Sequence, residues 1–359
     1  MALFKFRRQH VPIPGAPIPL PPGELTHLPG INYEPTSRIT LIDFWGDHFI
    51  EKVVDKVEDC FEFAGTSSVT WINVEGLGNL DVIQKLGEAF KLHPLALEDV
   101  LHTDQRPKVD DYENCLFLVF RELHDTDFFE TEQVSVFLGG NYLITFQETI
   151  GDPFDGVRER LRRGRPRLRS SGPDYLAYAL LDAIMDSYFP ILERYQNRMV
   201  ALEDEAGGNP TNETPRKIQN LRRDILEMRR VAWSTRELLL QLQHMESPIV
   251  TKPTQLYIRD VYDHAIAVME MLESYRDTVS SLLEIYHAKV NVMINDVMKA
   301  LTLMATLFTP ALIISSLYGM NMKLPLADSD STSSFWVTVG TMLLPTLLML
   351  IWFRTKKWI

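Results

Sequence analysis

The sequence predicts an α/β domain followed by long helices and two C-terminal transmembrane helices. Three observations carry that prediction. Short β-branched and apolar runs alternate with short helical periodicities up to about residue 172, and beyond Pro173 the pattern turns wholly helical. Near the end of the chain, residues 300–322 and 331–353 form two stretches of 23 residues without a charged side chain. As helix, each would span roughly 34 Å, enough for a hydrocarbon core of about 30 Å.

Residues 1–34 carry Pro12, Pro14, Pro17, Pro19, Pro21 and Pro22 and are expected to form a disordered, polyproline-like arm. Arg7 and Arg8 have no apolar run behind them, so no secretory signal is expected. Residues 35–172 read as a cytosolic α/β domain, with strands at 38–44, 69–74, 116–123, 134–138 and 142–146 and helices at 80–92, 94–102 and 153–163. Gly139, Gly140 and Asn141 turn the last two strands into a hairpin. Residues 173–252 read as an antiparallel helical hairpin, 174–205 and 214–245, parted by Gly207, Gly208, Asn209 and Pro210.

A third helix is expected over 253–318. Pro253 opens it; from residue 254 on it contains no glycine and one proline, Pro310, and it runs on into the first transmembrane segment at about 299–318. Residues 319–334 would form an outer loop, 335–353 the second span, and 354–359 a basic tail. Arg354, Lys356 and Lys357 follow the second span directly, which places both termini in the cytoplasm and the chain in the plasma (inner) membrane.

Composition narrows the function. The net charge of −12 argues against nucleic acid as a partner and suits a cation. Cys60 and Cys115 are the only cysteines, so no disulfide framework is implied. Gly76-Leu77-Gly78 lacks the rest of a dinucleotide fingerprint, and no P-loop, zinc-protease helix or nucleophile elbow is present, so the chain is not expected to be an enzyme. The arginines at 158, 160, 162, 163, 165, 167 and 169 read as a solvated helix end and loop.

The third helix carries the most specific pattern. Val290, Ile294, Val297 and Leu301 ask for neighbours of their own kind, hence an oligomer packed along a shared axis. Asn291, Asn295, Met298, Leu301, Ala305, Thr309, Leu312 and Ser316 step by three or four residues along one face. Around a symmetry axis such a face would line a narrow pore; spacing alone equally allows an ordinary packing seam.

That helix ends Tyr318-Gly319-Met320-Asn321, which resembles the CorA family of magnesium channels. His93-Pro94-Leu95, Leu97-Glu98-Asp99, Gln105-Arg106-Pro107-Lys108, Arg259 to His264, Asn295 to Lys299 and the terminal Lys356-Lys357-Trp358 are similar to that family in order and spacing. The resemblance covers about residues 35–359 and departs from the family at Thr309, Leu312 and Ser316. It implies a funnel-shaped homopentameric channel in the lipid bilayer, passing magnesium and also cobalt or nickel. Gly319, Met320 and Asn321 would form its selectivity filter. Five Asn321 carbonyls would accept hydrogen bonds from the waters of an ion that keeps its hydration shell. The resemblance further implies that Mg2+ closes the channel from the cytosol, bound between subunits at Asp99 and Glu284, with Glu98, Asp182 and Asp260 at a second site. Two other readings stand beside it, a zinc transporter on the same scaffold and a membrane-tethered sensor without a pore.

Overall fold

The computed structural model describes residues 25–27, 33–34, 36–125, 129–320, 332–356 and 358. The proline-rich arm before residue 25, the loop at 321–331 and Asn321 lie outside the described residues. The chain divides into two compact units, residues 1–199 with 219–279, and residues 200–218 with 280–359.

The first unit is built on a seven-stranded sheet. In chain order its elements are β1 (Arg38–Trp45), β2 (His48–Val54), a 3-10 turn at Val57–Phe63, β3 (Val69–Glu75), α1 (Leu80–Phe90), α2 (Pro94–Leu101), β4 (Lys108–Tyr112), β5 (Cys115–Asp125), β6 (Phe129–Gly139), β7 (Tyr142–Gln147), α3 (Asp155–Arg162) and α4 (Pro166–Arg169). Three long helices follow, α5 (Pro173–Gly207), α6 (Thr214–His244) and α7 (Lys252–Tyr318), then α8 (Thr332–Thr355). The strand order is β2-β1-β3-β7-β6-β5-β4, with β3 and β7 the parallel pair.

Side chains alternate across each strand, so the sheet has two buried faces. One face sets Leu41, Ile72, Phe117, Phe137 and Ile144 against Ile83, Leu86, Leu97 and Val100 of α1 and α2. The other meets α3 and α5. Phe154, at the entry to α3, lies edge-on to Trp71 with centroids 5.9 Å apart, and the Tyr188 hydroxyl of α5 donates to the carbonyl of Arg121. Along α7, Ile258, Val261, Ala265, Val268, Leu272, Tyr275 and Val279 are all buried, a three-four alternation that forms a single seam.

Two strands, β2 and β4, are absent from the sequence-based reading. Both are sheet edges, and both carry charged residues (HFIEKVV and KVDDY), which keep an unpaired edge from recruiting other strands. Strands β5 and β6 also run to Asp125 and from Phe129, further than their apolar runs predict. Their added residues are polar and include buried Glu122 and Glu132.

The arginine run is more structural than its sequence suggests. Arg158 donates through Nη1 to Asp152 Oδ1 at 2.6 Å, pairs through Nη2 with Asp152 Oδ2, and lies over the Trp71 ring. Arg162 grips Glu51 at 2.6 Å, and buried Arg169 donates to the carbonyl of Leu161 at 2.7 Å.

The second unit holds the α5–α6 turn, the remainder of α7, and α8. Glu205 accepts from Thr214 and Lys217 at 2.6 and 2.7 Å, closing the turn. Gly207 faces Ile285: a Cβ there would lie 3.7 Å from its methyl group, an ordinary contact. Both α7 and the Phe335–Thr355 part of α8 are long and apolar enough to cross a membrane, and their apolar windows are unburied.

The Asp152 carboxylate is almost fully enclosed, with its side chain 1% exposed. Arg158→Ala would strand that charge with only the neutral donors Asn73 Nδ2, at 3.0 Å, and the Phe154 N–H, at 2.9 Å, still reaching it. Thermal unfolding of the full-length protein in detergent is expected to show a loss of about 3 to 5 kcal/mol, against under 1 kcal/mol for Arg165→Ala at the exposed surface.

Candidate functional site

A helix in lipid satisfies its own backbone, and α7 extends that economy to its side chains. The hydroxyls of Thr302, Thr306 and Thr309 each donate to the carbonyl four residues back, at 2.7, 2.6 and 2.6 Å. Each oxygen thereby spends its proton on the helix and keeps its lone pairs available as acceptors.

Helix α8 covers only part of α7. Leu303, Leu307, Pro310, Ile314 and Tyr318 are half-buried, and Thr346 of α8 donates to the carbonyl of Leu307 at 3.4 Å. At 100° per residue these five positions centre about 160° from the predicted stripe, on the opposite side of the helix. Asn291, Asn295, Met298, Leu301, Ala305, Thr309, Leu312 and Ser316 are all exposed in the single chain, Leu312 by 67%. Val297, which the sequence assigns to oligomer packing, is likewise exposed by 68%.

The helix stops at Gly319. Its N–H donates to the carbonyl of Ser315 at 3.0 Å, and a Cβ there would lie 3.3 Å from that oxygen, so glycine suits the close approach. Met320 is half exposed beside it.

The acidic residues fall into separate groups. Glu98 and Asp99 sit near the end of α2, whose start is fixed by Pro94 in its first turn and by His93 Nδ1 accepting from the N–H of Leu95 at 3.2 Å. Asp99 accepts from Gln105 Nε2 at 2.7 Å and from Lys108 Nζ at 2.6 Å. Lys108 is held by Asp110 as well, at 2.7 Å. Burial acts to lower the Lys108 ammonium, but hydrogen bonds to the two carboxylates outweigh it and raise it above the ordinary lysine range. Asp99 therefore has a resident counter-charge. Glu284 lies exposed on α7 in the second unit.

Asp182 joins a different set. Asp182 and Asp186 are one helical turn apart on α5, as are Asp260 and His264 on α7. Ligand atoms of Asp182, Asp186 and His264 all lie within 4.8 Å of one another, with His264 Nδ1 3.9 Å from Asp182 and 4.0 Å from Asp186. Burial, reinforced by the Asp186 charge and by Asp260, pushes the Asp182 carboxyl above its usual range. Such an oxygen-rich group with one imidazole can hold a divalent cation.

Asp186, the pairing of Lys108 with Asp99 and the ligand role of His264 are missed in the sequence-based reading. The signal for Asp186 and His264 was present as two i,i+4 pairs.

Comparison with known proteins bears on the same elements. A family model described as CorA-like Mg2+ transporter protein matches residues 66–357. The cobalt/magnesium transport protein CorA of Thermotoga maritima is 38% identical over 346 residues, which span 95% of this chain and 97% of that protein. The complete structure of the CorA magnesium transporter from Methanocaldococcus jannaschii superposes with a TM-score of 0.76 at 23% identity, over 89% of this chain and 98% of that one. A crystal structure of the ZntB cytoplasmic domain from Vibrio parahaemolyticus has the same fold, with a TM-score of 0.57 at 13% identity over 71% of this chain and 98% of that one.

Proposed function

Because this chain belongs to the CorA-like Mg2+ transporter family, we propose that it is a passive magnesium uptake channel that also passes cobalt and nickel. Five copies surround a pore lined by the exposed stripe of α7, from Asn291 to Ser316, with both termini in the cytoplasm. The observation that supports this reading best is the placement of α8. It covers the face of α7 opposite the stripe and leaves the small and polar positions open to other copies.

Driving force requires no nucleotide. A divalent ion gains about 4.6 kcal/mol per 100 mV of inside-negative potential, more than a thousandfold in concentration. Magnesium holds its waters tightly, so a ring of Asn321 amide oxygens at the outer end, carried by the Gly319 turn and braced by Met320, selects the ion with its shell in place. Lone pairs on Thr309 accept from the same waters further in.

Such a pore needs a gate. In this reading cytosolic Mg2+ binds between subunits at Asp99 and Glu284, and again where Glu98, Asp182 and Asp260 meet. Two carboxylates about 6 Å apart repel by roughly 3 kcal/mol at an effective dielectric of 20, so an empty interface opens and an occupied one closes. The relation between Asp99 and Lys108 adds a term to this balance, because the ammonium competes with the ion for the same oxygens.

The transport reading is tested by flux into proteoliposomes under an imposed potential, with magnesium, cobalt and zinc in competition. Magnesium should enter readily, and Asn321→Ala should lower its flux by at least tenfold. Zinc entry without magnesium would favour the zinc transporter, and no flux of any ion would favour the poreless sensor.

Protease protection reports the gate. Asp99→Ala and Glu284→Ala are each expected to raise the Mg2+ concentration that protects the cytosolic domain several-fold. Lys108 keeps Asp110 as a partner in the former variant, so a folding defect is not expected. Unaltered protection in both would remove the interface assignment. Lys108→Met acts in the opposite direction: with the competing ammonium gone, half-protection should move to lower Mg2+, by several-fold.

A further inference from the structure

One buried polar cluster takes no part in the ion path or its gate. Glu122 on β5 and Glu132 on β6 are direct cross-strand partners, and both are buried. Like charges so opposed destabilise a strand pair. His124 shares their face, with Nε2 3.3 Å from Glu132 Oε2 and 3.9 Å from Glu122 Oε2. The two carboxylates are not equally supported. Glu132 accepts from the Thr149 N–H at 2.8 Å and from its hydroxyl at 2.6 Å. Glu122 Oε2 is enclosed without a hydrogen-bond partner.

Helix α5 closes over this end of the hairpin. Its Tyr188 donates to the carbonyl of Arg121, and its Tyr195 meets the ring of Phe129 edge-on at 6.5 Å. Among the described residues, the other charged or titratable groups acting on the cluster include Glu130 on β6, Arg121 on β5, Asp152 before α3, which Arg158 neutralises, and Tyr188 itself. With Glu122 neutral, one imidazolium faces one carboxylate and the charges balance. Once Glu122 ionises, a second enclosed carboxylate opposes Glu132 with no donor to receive it, and parting the hairpin from α5 to admit water relieves it.

We propose that Glu122, His124 and Glu132 form a proton-operated latch between the β5–β6 hairpin and α5, closed while Glu122 is protonated and loosened when that proton leaves. Burial, opposed by His124 and reinforced by Glu132 and Asp152, pushes the Glu122 carboxyl up to about 7. The Glu132 carboxylate beside it raises His124, and for Glu132 itself the His124 ring and the hydrogen bonds from Thr149 outweigh burial and leave it lowered.

The direction follows from proton linkage. Closed, Glu122 holds its proton up to about 7; opened, it releases it near its ordinary 4.5. Closure therefore weakens as pH rises between those values and weakens no further from this group above them. The raised His124 adds a loss of the same sign only above its ordinary 6.5, and the lowered Glu132 acts only below 4.5. Between about pH 5 and 6.5 neither His124 nor Glu132 contributes; Asp224 on α6, pushed up to about 6 by burial and accepting from Tyr195 at 3.3 Å, does, so the comparison with Glu122→Gln separates the two.

Hydrogen exchange of the full-length protein in detergent tests the latch, with rates corrected for their intrinsic pH dependence. In the wild type, the opening constant of peptides from β5 and β6 should rise by up to about tenfold per pH unit across that window, while peptides from α1 and α2 stay flat. Glu122→Gln should flatten the rise. An equal rise in Glu122→Gln, or a rise shared by α1 and α2, overturns the proposal. A flat wild-type profile overturns it as well, whether or not the variant folds. None of these readouts depends on transport.

Discussion

A helix in lipid must meet all of its backbone hydrogen bonds internally, and it gains nothing by exposing polar side chains to hydrocarbon. Helix α7 satisfies the first demand through its length and the second only partly. Its threonine hydroxyls fold back on their own carbonyls, and α8 covers the line from Leu303 to Tyr318. The opposite face remains, and it mixes asparagine, threonine and serine with alanine, methionine and leucine. Lipid would accept the apolar members alone and water the polar ones alone. A symmetric assembly accepts both, because the polar positions can ring a wet axis while larger apolar side chains pack at the seams. The proposed pore, its filter and the subunit interfaces that carry the gate all depend on that uncovered face.

How much could be read from the sequence varied with how each feature is encoded. The two spans are written in simple exclusion of charge, and the sheet interior in runs such as Leu116 to Phe120, so both were legible. Strands β2 and β4 were not, because an edge strand carries charge on purpose and loses the alternation that marks a half-buried strand. The distal halves of β5 and β6 were hidden for another reason: Glu122 and Glu132 are buried, so the pattern reads as surface where the fold makes it interior. Of the candidate sites, the α7 stripe was visible as spacing, whereas its exposure depends on where α8 packs, which no periodicity in α8 encodes. Asp186 and His264 come together because α5 and α7 lie side by side there, a tertiary fact that their separate i,i+4 pairs only hint at.

The acidic groups also differ in what holds them when no ion is bound. Asp99 is already paired with Lys108 and Gln105, so an arriving cation must displace or share an ammonium. Asp182 has two carboxylate neighbours, Asp186 and Asp260, a single imidazole close by and a more distant arginine, Arg160, and meets its surplus charge by keeping a proton more readily. In the proposed gate, one site would exchange a lysine for the ion and the other a proton. A domain with both kinds of site would respond to divalent concentration over a broader range than either alone, because the competing cations differ in charge, size and availability.

Protons therefore reach this domain by two routes that physics keeps apart. At Asp182 the group is half-buried near the helix surface, so acidification competes directly with cation binding. At Glu122 the carboxyl is enclosed between sheet and helix, where no ion need enter, and protonation acts on packing instead. In the proposed gate the first route would make acid an antagonist of the ion, whereas the proposed latch would make acid a stabiliser of the domain that carries the gate. The two effects oppose each other, so a pH profile of gating in the whole channel is a difference between them. Only measurements that separate the sheet from the helical cluster can apportion such a profile, since a single flux curve sums both.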